Sequence, residues 1–323
     1  MPDFYDALET RDPALREEQQ IDELKKQLHN ARGHAPAYTA ILADVDIASV
    51  NDRTALSVIP LTRKSDIAKR QSELPPLGGY AAAPIDSFYN VFASPGGIFE
   101  PGAARDDYWN FARGLHAAGV RAGDLIHNTF SYHFTPAGLM VDSAARALGC
   151  PVFPGGIGQT ELQVQVMARL KPRAYCGTPS FLKIILDKAA EMKIPMDTLS
   201  LGLVGGEALP GSLRTELSDS GVEVVQFYGT ADLGMVAYES SAKEGMILEE
   251  KVIVEIVRPG TGEPVPEGEV GEIVVTTLSP EYPLIRFATG DLSAFMPGSS
   301  PCGRTNRRIK GWMGRADQTA KVR

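Results

Sequence analysis

Apolar positions between residues 87 and 228 follow two alternating rhythms. Short β-like runs fall at 87–92, 124–130, 150–154, 174–176, 199–204 and 222–226. Between them lie stretches with helical spacing. In residues 105–119, Tyr108, Phe111 and Leu115 share one face and Gly119 suits the stop. Residues 137–148 follow, then a helix through Leu170 for which Thr160 and Gln163 suggest a capping box. Thr178-Pro179 opens the next with a cap and a first-turn proline, and Phe181, Ile184, Ile185 and Leu186 give it a broad apolar face. Another helix is expected near 210–220. Strands alternating with helices at this spacing predict an α/β fold with a mainly parallel sheet flanked by helices.

Both ends depart from this rhythm. Asp12-Pro13 opens an N-terminal helix with the apolar stripe Ile21, Leu24 and Leu28, an Asp22/Lys26 pair and Gly33 as its stop. Past Asp232 the alternation ceases. Val252 to Val257 and Gly271 to Thr277 are β-like runs around a Pro259–Gly262 turn, predicting a small antiparallel, barrel-like β subdomain. The expected segments are 1–78, 79–232, 233–314 and 315–323. The basic run from Arg304 to Arg315 reads as a solvated face.

Composition narrows the function. Of 323 residues, 43% are hydrophobic and 22% charged, and the net charge is −8, which does not favour nucleic-acid binding. No apolar run approaches the roughly 20 residues of a membrane helix. The start Met-Pro-Asp-Phe-Tyr-Asp lacks the basic-then-apolar pattern of a signal peptide. Cys150, Cys176 and Cys302 are odd in number and far apart, so they read as reduced thiols of a cytoplasmic protein.

Candidate chemistry gathers at strand ends. Ala93 to Gly102 is a Ser/Gly loop that either cradles phosphate or is a glycine turn; no Gly-Lys-Ser/Thr follows, so it is not a Walker loop. Tyr132, His133 and Phe134 either line an aromatic pocket or pack the core. Phe227-Tyr228-Gly229-Thr230-Ala231-Asp232 closes the last strand of the alternating region, where open α/β sheets bind ligands. Asp232 is either a metal ligand beside a phosphate or a solvated turn residue. Asp291, at another strand end, suits the two hydroxyls of a ribose.

In this order the motifs resemble the adenylate-forming acyl-CoA synthetases, and within them the phenylacetate–coenzyme A ligase family, over nearly the whole chain. The most specific stretch is Phe153-Pro154-Gly155-Gly156-Ile157-Gly158-Gln159-Thr160-Glu161-Leu162-Gln163. Lys171-Pro172, Gly177-Thr178-Pro179-Ser180, Gly205-Gly206-Glu207, Tyr228 to Asp232, Thr289-Gly290-Asp291-Leu292 and Gly314-Arg315-Ala316-Asp317 follow in the family's order. The resemblance implies an AMP-forming ligase that uses ATP, Mg²⁺ and coenzyme A on a carboxylic acid, expected to be an aryl acid. It assigns residues 79–232 to nucleotide and acyl binding. Ser94, Gly96, Phe227, Tyr228 and Gly229 would line the nucleotide site, and Gly205, Gly206 and Glu207 would flank adenine. Asp291 would take the ribose and Arg315 the ribose or phosphate. Asp232 would hold Mg²⁺, Tyr132 and Phe227 the acid, and Asp317 would be the hinge. It further implies a homodimer.

Three departures bear on this. The phosphate loop keeps Ser94, Gly96 and Pro101 but lacks the family's threonines, and Glu100 would add negative charge there. Asp232 replaces a glutamate, so its shorter side chain would reach metal through a water. The family's adenylation lysine lies in a small domain beyond the hinge, and neither Lys310 nor Lys321 matches it. The segment 239–247 has no Cys or His, so no zinc is expected. The altered loop leaves two other readings: a catalytically silent nucleotide- or acyl-binding relative, and an adenylating ligase with a non-CoA acceptor.

Overall fold

From Ile126 onward the strand–helix alternation folds as its spacing predicts; the first run, 87–92, stays outside it, Asn90–Ser94 pairing antiparallel with Ile98–Gly102 instead. The structure is a computed structural model and describes residues 4–94 and 97–319. By its internal packing the chain divides into two units. Unit 1 is Met1–Tyr5 with Arg105–Met246, and unit 2 is Asp6–Ala104 with Ile247–Arg323.

In unit 1 the strands Ile126–Asn128, Val152–Pro154, Ala174–Gly177, Leu201–Val204 and Glu223–Thr230 are parallel. The first in sequence lies second in space, between the 152 and 174 strands. Connections therefore leave in opposite directions on its two sides. That reversal opens a crevice at the strands' carboxyl ends, where such sheets bind ligands. Gly234–Tyr238 closes this run antiparallel to Glu223–Thr230. The helices Thr160–Leu170, Pro179–Glu191 and Gly211–Asp219 bury Val164, Met167, Leu182, Ile185 and Leu217 against Tyr175, Val204 and Val224. Thr178 caps its helix as expected, its hydroxyl accepting from the Phe181 N–H.

Two local expectations for unit 1 fail. The helix expected over 105–119 is confined to Ala112–Ala117. Asp107 and Asn110 adopt left-handed backbone, φ +52° and +62°, which breaks the helix. The capping box at Thr160 does not form. Gln159, at φ +48°, is the cap residue, and the Gln163 side chain bonds elsewhere.

Asp107 accepts the Ala112 N–H through Oδ1, and burial pushes its carboxyl up to about 6 despite nearby Arg113 and Arg105. A raised carboxyl pKa makes the folded state hold more protons than the unfolded one between the two values. Stability therefore falls as pH rises from about 4 to 6 and stays lowered above that. Asp107→Asn keeps an acceptor and removes the titration. We expect it to gain about 1–3 kcal/mol over the parent at pH 7 and nothing at pH 3.5. Urea unfolding at both pH values checks this, and an equal difference at both would refute it.

In unit 2, Val252–Val257, Gly271–Thr277 and Phe287–Ser293 form the expected antiparallel sheet. A fourth strand comes from the lead-in: Thr62–Arg63 pairs parallel with Phe287 and Ala288. Arg286, only 2% exposed, ties these parts together. Its guanidinium makes two 3.0 Å bonds to Glu255 and donates to the carbonyls of Ile59 at 2.6 Å and Gly262 at 2.8 Å. Burial raises the Glu255 carboxyl while the arginine opposes the rise.

The helix Pro13–His34 begins at Asp12, whose Oδ1 accepts from the N–H groups of Ala14 and Leu15. It runs past Gly33 and stops before Ala35-Pro36, a restriction proline imposes on its predecessor. Leu24 and Leu28 are fully buried. Lys26 pairs with Glu23 at 2.8 Å instead of Asp22. The polar face is not all solvated: Arg16 is buried and bonds Glu250, Thr305 and Asn306. The basic run is only partly solvated: Arg307 and Lys310 are exposed, while Arg304 and Arg308 turn inward. Arg304 pairs with buried Glu9 at 2.7 Å, Arg308 donates to the Pro297 carbonyl at 3.1 Å, and the Arg307 guanidinium lies 3.6 Å from the Phe295 ring centroid. Cys150 and Cys176 are buried and Cys302 is half-buried, all as free thiols. No helix among the described residues is long and apolar enough to cross a membrane.

Candidate functional site

In unit 1 aromatic rings gather at the carboxyl end of the parallel strands. Phe227 meets Phe111 edge-on at 4.9 Å between centroids and Phe130 at 5.9 Å. The strand Leu201–Val204 runs straight into Gly205 beside them. A Cβ at Gly205 would lie 2.5 Å, 2.6 Å and 2.8 Å from three Phe227 ring carbons. Glycine is therefore required for that ring to lie where it does. Gly206 has φ +80°, and its open side faces Phe130 and Thr178 at 3.7 and 3.8 Å from a built Cβ. Glu207 reaches across to accept the Ser180 N–H at 2.7 Å, capping the helix Pro179–Glu191.

Tyr132 stands at the same end of the sheet with its hydroxyl committed. It donates to Asp142 Oδ1 at 2.7 Å and accepts from Asn128 Nδ2 at 2.8 Å. Burial, with Asp142 adding to it, pushes the phenol pKa up, so the hydroxyl stays a donor. Tyr132 can thus offer a ligand its ring but not its hydroxyl. The ring packs on Gly138, where a Cβ would stand 2.9 Å from two of its carbons.

The glycine loop beyond Pro154 is held by a lock that sequence reading missed. Gln163 Nε2 donates to the carbonyls of Gly156 at 2.9 Å and Gly158 at 2.7 Å. Its Oε1 then accepts from His127 Nε2 at 2.7 Å, which fixes the proton on that ring nitrogen. Burial lowers the His127 pKa and keeps the ring neutral, stacked on Phe153 at 5.3 Å. Gly155 lies against both side chains, with a built Cβ 2.9 Å from Gln163 Oε1. The only sequence signal was the polar pair at an inward strand position and a first-turn position.

Tyr228 is buried inside its strand, opposite Ala237, and a bulge separates it from Gly229. A side chain on Gly229 would press on the Gly234 carbonyl. Asp232 is half-buried in the tight turn that follows, where Thr230 Oγ1 accepts the Leu233 N–H at 3.1 Å.

In unit 2, Ser94 ends the strand Asn90–Ser94 and pairs with Ile98 at the start of Ile98–Gly102. Gly96 lies outside the described residues. Glu100, only 3% exposed, faces inward opposite Phe92. Strand alternation turns it to the buried face, the same face of the hairpin as Ser94.

Asp291 and Arg315 come together as a pair. Arg315 Nη1 donates to Asp291 Oδ1 and to the Thr289 carbonyl, both at 3.2 Å. A third member, Trp312, donates its indole N–H to the same Oδ1 at 3.1 Å. Gly290 has φ +76°, and a Cβ there would meet Arg315 Nη2 at 2.7 Å. Asp317, largely exposed, sits in the first turn of Ala316–Thr319 and approaches Arg315 Nε at 3.5 Å.

Residues 132–279 match the family described as AMP-binding enzyme. The chain is 32% identical to a phenylacetate–coenzyme A ligase of Aromatoleum evansii, covering 94% of this chain and 71% of that protein. It is also 32% identical to one from Thermus thermophilus, covering 96% and 72%. Among solved structures, a 2-hydroxyisobutyryl-CoA ligase in an open conformation, in complex with 2-HIB-AMP and CoA, shares the fold. Its TM-score is 0.88 at 24% identity, over 95% of this chain and 71% of that one.

Proposed function

Because the chain belongs to the phenylacetate–coenzyme A ligase family of AMP-forming acid–thiol ligases, we propose that its acid is an aryl acid seated against Phe130 and Phe227, with Phe111 packed behind them. In this family's reaction the carboxylate attacks the α-phosphate of ATP, releasing pyrophosphate, and the CoA thiol then displaces AMP from the acyl-adenylate. Neither step asks the protein for a covalent nucleophile. It asks for alignment and for fixed charge around the phosphates.

The observation that carries the aryl assignment is the aromatic wall cleared by Gly205. Edge-to-face rings favour a further flat ring over a flexible chain of equal volume, by about 0.5–1.5 kcal/mol. Tyr132, with its hydroxyl tied to Asp142, adds an apolar ring face.

In the same reading Gly205, Gly206 and Glu207 flank adenine, and Tyr228 and Gly229 hold the backbone leading to Asp232. Asp291 accepts from the ribose and Arg315 approaches it. Asp232 is the residue we assign to Mg²⁺, reached directly or through a water. A single carboxylate suits that ion, which is commonly held by one or two carboxylates together with substrate phosphates. Among the described residues there is no group of three His, Cys, Asp or Glu placed to hold a metal, so phosphate oxygens would complete the shell. When bound, Mg²⁺ would neutralise charge on the phosphates.

Calorimetric titration tests the proposal. AMP is added first, then phenylacetate or hexanoate to the AMP-loaded protein. Phenylacetate is expected to bind about 3- to 10-fold more tightly than hexanoate, and Phe227→Leu is expected to erase the difference. Equal affinities, or a preference untouched by Phe227→Leu, would overturn the aryl assignment.

A further inference from the structure

We propose that Trp312 is a positioning residue for the nucleotide: its indole N–H fixes the carboxylate of Asp291 for the ribose diol. This rests on the assignment of Asp291 to ribose made above.

Trp312 is held rigidly by its backbone surroundings. The Met313 N–H donates to the Leu292 carbonyl and the Leu292 N–H to the Gly314 carbonyl, each at 2.9 Å. Asp291 and Arg315 form a bridge beside them. Residues 312–315 are thus laid along the strand that carries Asp291. The strand itself is braced, since the Asp291 N–H donates to Thr289 Oγ1 at 3.0 Å and that hydroxyl donates to the Ile273 carbonyl at 2.9 Å.

A carboxylate can rotate about its Cβ–Cγ bond, and a diol needs its plane fixed. Arg315 and Trp312 both donate to Oδ1, at 3.2 and 3.1 Å. Two donors converging on one oxygen define that plane, and hydrogen bonds to an ionised group are the strong kind. Arg315 alone is a weak anchor, because its side chain is 41% exposed and also bonds the Thr289 carbonyl and approaches Asp317. The indole has one donor and no acceptor, so it can serve only an acceptor such as Asp291.

Exposure separates this from simple packing. Asp291 is 9% exposed, while Trp312 is 49% exposed. A tryptophan kept for the core would be covered. This one keeps its polar edge on a buried carboxylate and leaves the rest of its ring open beside it.

The test compares AMP with 2′,3′-dideoxy-AMP on the full chain and on Trp312→Phe. The parent is expected to prefer AMP by about 10-fold or more, the range of hydrogen bonds to a charged group. Trp312→Phe is expected to bring the preference to about 3-fold or less, leaving affinity for the dideoxy nucleotide unchanged. A merely structural tryptophan would weaken both ligands alike, so an unchanged ratio overturns the proposal while leaving the nucleotide assignment intact. Failure of the parent to bind AMP overturns both.

A second measurement covers a Trp312→Phe chain that does not fold. Trp312 is one of two tryptophans, so in a Trp109→Phe background it is the sole indole. Saturating AMP is expected to change its emission and saturating dideoxy-AMP is not. Identical responses to the two nucleotides overturn the proposal.

Discussion

Arg286→Met is expected to destabilise unit 2 by about 3–5 kcal/mol. Removing the guanidinium leaves the Glu255 carboxylate, 5% exposed, without its ion-pair partner. It also strips the Ile59 and Gly262 carbonyls of their donor. The double variant Glu255→Leu/Arg286→Met removes the charge problem but not the carbonyl problem. It should recover part of the loss, leaving about 1–3 kcal/mol for the orphaned acceptors. Urea unfolding of the two single variants and the double variant completes the cycle. A loss below about 1 kcal/mol for Arg286→Met would place this pair with surface ion pairs in energetic terms and refute the account.

Gly205→Ala is expected to cost function more than its one methyl suggests. The new Cβ would fall 2.5 Å from Phe227, whose ring is hemmed in by Phe111 and Phe130. The ring must swing, and overpacking of this kind costs about 1–3 kcal/mol of stability. Because the swing moves the wall we assign to the acid, affinity for phenylacetate should fall by about 10-fold or more. Adding Phe227→Leu, which removes ring atoms at the clash, should restore the melting temperature without restoring the aryl preference. If Gly205→Ala binds phenylacetate as the parent does, Phe227 does not line the acid site.

Much of the fold was legible because its signals are local. A six-residue run of valines and isoleucines broken only by Glu255, or Thr178 before Pro179, needs no distant partner to be read. The failures have a common cause in tertiary contacts. Nothing in Arg105 to Gly119 announces that Asp107 and Asn110 turn left-handed, since that backbone is held by a bond from Asp107 to Ala112. Gln163 sat in a plausible capping box, but His127, thirty-six positions earlier, claims it. The basic run looked solvated because its acidic partner, Glu9, lies 295 positions away. At the candidate site, Asp291 and Arg315 were named from a resemblance and lie together. Phe130 was passed over because an aromatic residue on an apolar face looks the same whether it lines a site or fills a core, and Trp312 because it lies within a basic run.

The strand Thr62–Arg63 has a consequence for how the polypeptide emerges during synthesis. Its partner, Phe287 and Ala288, is made 225 residues later. Unit 1 is encoded almost entirely inside that interval, as one continuous segment from Arg105 to Met246. It can therefore close its parallel sheet while residues 6–104 still lack the second half of their own core. Until Glu250, Arg286 and Arg304 are translated, Arg16, the carbonyl of Ile59 and the carboxylate of Glu9 lack these partners. Such long-range closure is slow. On the ribosome the helix Pro13–His34 would be made before unit 1 and be among the last elements to be protected. Pulsed proteolysis of stalled nascent chains should find residues 6–104 cleavable until Phe287 and Ala288 have emerged from the ribosome and resistant once the sheet can close.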